Sequence, residues 1–126
     1  MIKHIVTLLF VIVGLINFVP LMGALGQARL EGLYGIEINT PDMLLLLRHR
    51  AVLFGIIGGY IILSAFKPAQ RKAAAIFGYL SMISYAVFAL ADNAVNANLE
   101  RVMQIDVVAI ILLTVAVVLD RKRKTP

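Results

Sequence analysis

Cysteine is absent, which excludes disulfides, thiolate metal sites and thiol redox chemistry within this chain. Tryptophan is absent too, so the aromatic anchors common at membrane surfaces fall to Tyr34, Tyr60, Tyr79 and Tyr85. Charge is scarce: 15% of the 126 residues are charged, where a soluble domain carries about a quarter. Only two histidines occur, His4 and His49. The motifs of several chemistries are missing. There is no Gly-rich phosphate loop ahead of a Lys-Ser/Thr pair, no H-E-x-x-H and no G-x-S-x-G. No cofactor is expected.

What fills the chain is apolar surface, at 61% of residues. An excess of that size needs a solvent other than water. The pI is about 9.9 and the net charge +5. Such a balance can mark a nucleic-acid partner, but here the basic residues sit in short clusters between apolar runs and not along one polar face. No nucleic-acid partner is expected; membrane lipids, a second copy of the chain or a membrane-protein partner are.

Four apolar segments stand out, from Ile5 to Leu25, Met43 to Phe66, Ala73 to Ala91 and Ile105 to Leu119. A helix needs roughly 20 apolar residues to cross a bilayer core, and helices are expected because unpaired backbone is costly in lipid. The fourth segment is short unless helix continues through Arg101 to include Val102 and Met103. The expected fold is all-α: one transmembrane domain over residues 1–126, a four-helix bundle. The N-terminal run shares a basic start and late small residues with secretory signals. It is longer than the roughly 7–15 residues of a signal core, and Pro20 comes late in it, so it reads as a span.

Boundaries carry local signals. Thr40-Pro41-Asp42 reads as an N-cap, a proline at the first helical position and an acid at the positive end of the dipole. Gly35 is expected to cap a long helix that runs on from the first span, kinked at Pro20. Lys67 to Lys72 reads as a tight polar turn. Asn93, Asn96 and Asn98 mark the third connection, with Asn98 as the expected cap of the last helix.

The basic residues also set an orientation. Lys3, the turn with Lys67, Arg71 and Lys72, and the tail Arg121 to Lys124 fall at one end of a four-span bundle. These eight, less Asp120, give that end +7; Arg29, Arg48, Arg50 and Arg101, less six acids, give the other −2. The bias places the first end, with both termini, in the cytoplasm of a bacterial cell whose inner membrane the chain spans several times.

Arg48-His49-Arg50, near the start of the second span, is the most unusual local feature. At 100° per residue the three cannot share a face. Arg48 lines up with Val52, Gly55 and Gly59, and Gly55 and Gly59 form the small-xxx-small pattern that lets helices approach. Arg48 is therefore expected to point inward, and Arg50, aligned with Phe54, Ile57 and Ile61, toward lipid. An inward arginine wants a carboxylate. Asp106, early in the fourth span, is the expected partner, and Asp92 the second choice. The group is open to two readings: a clamp that fixes packing, or an outer polar pocket in which Arg48 binds an anion, His49 handles protons and Asp106 orients Arg48. Asn17 either bonds to a neighbouring helix or lines the same pocket. Gly78, Ser81 and Ser84 recur at three-residue spacing and read as a packing groove. His4 and His49 fall at opposite ends and cannot share a metal. No acid lies within the first span, where a small multidrug exporter would carry its essential glutamate.

Ala28-Arg29-Leu30-Glu31, Leu33-Tyr34-Gly35 and the block Leu46-Leu47-Arg48-His49-Arg50-Ala51-Val52-Leu53-Phe54-Gly55 resemble a family of small bacterial inner-membrane proteins of four spans. The likeness continues through Ser81-Met82 and through Arg101 with Asp106. Members of that family often carry the label phosphopantetheine adenylyltransferase. The soluble enzyme of that name has an α/β nucleotide fold and an H-x-G-H motif, and this chain has no such motif. A more distant resemblance is to DoxX-like four-helix membrane proteins, without the cysteines of the redox relatives. Neither resemblance supplies catalytic residues. The function expected is binding or accessory; an intramembrane enzyme acting on an anionic lipid or small molecule, and a small dimeric transporter, are the alternatives.

Reporter fusions test the orientation. Alkaline phosphatase fused after Pro126 should be inactive and a fusion near Asn96 active; activity at Pro126 would contradict the charge-based topology.

Overall fold

The computed structural model describes residues 1–92 and 95–125. Among them it contains helices and no strand. The helices are α1 (Ile2–Phe18), α2 (Gln27–Tyr34), α3 (Pro41–Phe66), α4 (Arg71–Ala91) and α5 (Ala97–Lys124). Short 3-10 turns cover Val19–Leu25 and Pro68–Gln70. Four stretches are long and apolar enough to cross a membrane: Ile2–Leu25, Pro41–Phe66, Pro68–Ala91 and Ala97–Lys124. The outward faces are apolar, as at Leu8, Leu46, Ile56, Leu80, Phe88 and Ile111, all exposed, whereas Asn17, Arg71, Asp106 and Asp120 are buried. Polar groups inside and leucine outside is the arrangement lipid favours. The chain is a multi-pass membrane protein.

Each boundary has a local cause. Thr40 caps α3 by accepting from the Met43 N–H at 3.2 Å, ahead of Pro41 and Asp42. Gly35 ends α2 at φ 63°, a left-handed conformation that favours glycine. The long kinked first helix expected from the sequence does not form. Pro20 has no N–H to donate, and α1 gives way to 3-10 turns from Val19. The chain then breaks at Gly26, and α2 starts afresh. The cap of α5 is Asn96, not Asn98: its Oδ1 accepts from the Leu99 N–H at 2.9 Å. Its Nδ2 donates to the Tyr34 and Gly35 carbonyls, so one side chain ties the start of α5 to the end of α2. Asn98 instead donates to the Gly32 carbonyl. Asn93 lies outside the described residues.

α1 packs chiefly on α3 and α5, and α4 on α5 and α3, so α1 and α4 lie on one diagonal of the bundle and α3 and α5 on the other. The core is built of small residues around a few large ones. Ala65, Ala74, Ala109 and Ala116 are buried beside Phe10 and Met82. A second cluster, Leu30, Tyr34 and Ile38, roofs the end of the bundle away from the termini.

The tightest helix contact is Gly14 of α1 against Gly58 of α3. A Cβ on Gly58 would meet the Phe18 backbone and lie 2.7 Å from the Gly14 carbonyl oxygen, whereas one on Gly59 would find nothing closer than 4.0 Å. Backbone cannot move aside as a side chain can. Gly58→Ala should therefore destabilise the protein in detergent by about 1–3 kcal/mol, while Gly59→Ala should leave the melting temperature nearly unchanged. Equal melting of the two variants would contradict this packing.

Candidate functional site

The end of the bundle away from the termini holds a cavity of about 260 Å3. Each helix around it contributes for a local reason. Asn17 comes from the last turn of α1, just before Pro20 breaks the helix. Tyr34 is positioned by the Gly35 cap and by Asn96, and Arg50 and Phe54 lie one turn apart on α3. Asp106 faces in from the third turn of α5.

Arg50 is half-buried, and its guanidinium lies over three aromatic rings, 4.6 Å from the Phe54 centroid, 5.3 Å from Tyr34 and 5.5 Å from Tyr85. Such cation–π contacts hold a cation without using its N–H donors. Tyr85 is itself fixed, donating its hydroxyl to the Leu99 carbonyl at 3.1 Å. Asp106 is 9% exposed. Among the described residues, neither Arg50 nor Asp106 forms a hydrogen bond or ion pair with another side chain. Asn17 is 3% exposed and donates to the Val13 carbonyl at 2.9 Å and to Met82 Sδ at 3.5 Å, crossing the α1–α4 diagonal. Its amide oxygen remains for the cavity.

The roof over this cavity is braced by Glu31. Its carboxylate accepts from Gln27 Nε2 at 2.9 Å and from the Ile38 N–H at 3.0 Å, which tethers the loop after Gly35 to α2. The Gln27 amide, then the Ile38 N–H, hold the carboxyl below its usual pKa, against a smaller upward push from burial.

Arg48 and His49 lie elsewhere. Both are exposed, on the opposite side of α3, over a shallow depression with Ala24 and Pro41. Arg48 Nε donates to the Ala24 carbonyl at 3.1 Å and so ties down the end of the 3-10 stretch. The expected inward Arg48 paired with Asp106 is corrected accordingly: Arg50 is the arginine on the cavity. The alignment with Gly55 and Gly59 misled because α3 is apolar nearly all round and because Gly58, not Gly59, meets α1. The stripe assigned to lipid is the inner one, with Ile61 fully buried. Asp92 is exposed at the end of α4 and borders a neighbouring hollow that also reaches Tyr34 and Arg50.

On the other side of Arg50, a groove of about 450 Å3 runs between α3 and α4 toward the bundle surface, past Ile57, Leu80, Ser81 and Ser84. Arg50 and Phe54 line both this groove and the cavity. Of the three small residues at regular spacing on α4, Gly78 packs against Ile61 and Leu113, while Ser81 and Ser84 line the groove.

The sequence also concealed a second polar centre at the terminal end. Arg71, 4% exposed, donates to Asp120 Oδ1 at 2.8 Å, to the Ala65 carbonyl at 2.7 Å, to the Ser64 carbonyl at 3.2 Å and to Thr7 Oγ1 at 3.3 Å. It also lies 5.4 Å from the Phe10 ring centroid. Asp120, the one acid among eight basic residues at that end, was the signal available. Among the described residues, no three His, Cys, Asp or Glu side chains gather to hold a metal.

Comparison of the chain with known proteins finds no matching family model, no curated relative and no matching solved structure.

Because Arg48 bonds to Ala24 and not to Asp106, the two sites are independent. Arg48→Ala and Asp106→Ala should add in a thermal-stability cycle to within about 0.5 kcal/mol. A larger coupling would return Arg48 to the cavity.

Proposed function

We propose that the chain is a binding or accessory protein of a bacterial inner membrane, and that its cavity takes an amphiphile with an anionic head. In this reading the head meets Arg50, hydrogen-bond donors on it meet Asp106 and the Asn17 oxygen, and the apolar tail leaves along the α3–α4 groove toward the lipid. The observation that carries it is the pair Arg50 and Asp106, both lining one cavity with neither bonded to another side chain among the described residues. A buried charge left without a partner costs several kcal/mol, and ionisable groups inside a membrane bundle are rare unless they act on something. Aromatic rings holding Arg50 leave its donors free for a ligand oxygen.

The enzyme alternative finds less support. Its proton carrier was to be His49, which is exposed on the far side of α3 from the cavity. The transporter alternative calls for polar groups at mid-depth, and Asn17 is the one that the cavity supplies there. The likeness to the four-span bacterial family agrees with this reading, and the bias of basic residues agrees with termini in the cytoplasm.

The test is native mass spectrometry of protein released gently from membranes. The wild type should retain an amphiphile adduct, and Arg50→Gln and Asp106→Asn should each weaken its retention about ten- to a hundredfold, as loss of a charge-assisted hydrogen bond predicts. Equal retention by the wild type and both variants would sink the proposal.

A further inference from the structure

At the terminal end, α4 and α5 are separated by a groove of about 420 Å3 that is distinct from the cavity. Its floor is Phe10 and Ala75. Each wall repeats one pattern. On α4, Lys72 sits one turn outside Ile76; on α5, Arg121 sits one turn outside Val117. Lys72 and Arg121 are exposed, and neither hydrogen-bonds to another side chain among the described residues. The deep end, about 10 Å further in, is closed by Tyr79, whose hydroxyl meets Thr114 Oγ1 at 2.8 Å.

The charge at the mouth is one-sided. Asp120 already faces three cations: Arg71 at 2.8 Å, Lys124 at 3.1 Å and Arg123 at 3.2 Å. Lys72 and Arg121 are added to that set, so five cations surround one carboxylate. The first turn of α4 also has no side-chain cap, which leaves the positive end of its dipole at the same mouth. Among the described residues the excess is unmatched positive charge, above an apolar slot.

We propose that this groove is a binding site for one anionic phospholipid. The phosphate lies between Lys72 and Arg121, and the first part of an acyl chain lies along Ile76 and Val117. A free anion would use the cations and leave the apolar walls bare. A neutral lipid would fill the walls and leave the cations unmatched. The amphiphile that satisfies both carries its negative charge next to its chains. This site rests on the charge and shape of the terminal end and not on the reading of the cavity.

The test titrates purified protein in mild detergent with phosphatidylglycerol and with phosphatidylcholine of the same chains, and counts bound lipid by native mass spectrometry. Phosphatidylglycerol should bind the more tightly. Lys72→Gln with Arg121→Gln should weaken it about thirtyfold, from two basic contacts near a membrane surface, while Lys72→Arg with Arg121→Lys should keep it. Val117→Trp, which fills the slot and leaves every charge in place, should lose the preference as well. Inorganic phosphate at matched ionic strength should not displace the lipid. Equal binding of the two lipids to the wild type, full retention by the glutamine or the tryptophan variant, or displacement by phosphate would each overturn the proposal.

Discussion

Arg71 holds together the end of the bundle where all four spans begin or finish. Its position is unfavourable taken alone: a cation at the first residue of α4, facing the positive end of that helix dipole. Asp120 is equally misplaced, an acid near the negative end of α5. Together, at 2.8 Å, each relieves the other. The rest of the guanidinium donates to the Ser64 and Ala65 carbonyls in the last turn of α3, where Ser64 also accepts from the Lys67 N–H and helix carbonyls run short of intrahelical donors. It also crosses the diagonal to Thr7 and the Phe10 ring. One side chain thus closes α3, starts α4, fixes α5 and touches α1. In a membrane, where apolar helices gain little by leaving lipid for one another, such polar ties and close packing of small residues are what select a single arrangement.

The other end uses the same residue types differently. Arg50 and Asp106 also stand on helices across a diagonal, α3 and α5, but no ion pair joins them among the described residues. Aromatic rings position Arg50, and the roof is built from backbone capping by Asn96 and Asn98 and from the Glu31 tether. Order at this end is achieved without consuming the charges on the cavity wall. A bundle secured at one end by a fully bonded arginine can keep another arginine available at the opposite end. The Arg71 end is bonded into the fold, while the Arg50 end leaves its charges facing a cavity.

How much of this was legible in the sequence depended on how local the cause was. Thr40-Pro41-Asp42 and Gly35 were readable because a cap needs only its own few residues. The spans were readable because lipid imposes length and apolarity. Which arginine faces inward was not, because α3 has apolar residues all round and offers no periodic stripe to orient it. Only the approach of α1 at Gly58 fixes its rotation, and that is a tertiary fact. Asn96 and Asn98 are both good capping residues two positions apart, and contact with α2 decides between them. Arg71 was hidden by its neighbours: among Lys67, Lys72 and the basic tail it looked like one more topological charge, and its burial becomes visible only when Asp120 is brought to it.

The division between the two ends is tested most directly by comparing Arg71→Ala with Arg50→Ala in one thermal-unfolding experiment in detergent. Arg71→Ala removes the buried partner of Asp120, which keeps Lys124 and Arg123, and strips the Ala65 carbonyl, so a loss of about 1.5–3 kcal/mol is expected. Arg50→Ala removes a charge that bonds to no other side chain among the described residues and should cost about 1 kcal/mol, from lost ring contacts. A variant of Arg71 as stable as the wild type, or a variant of Arg50 as unstable as that of Arg71, would contradict it.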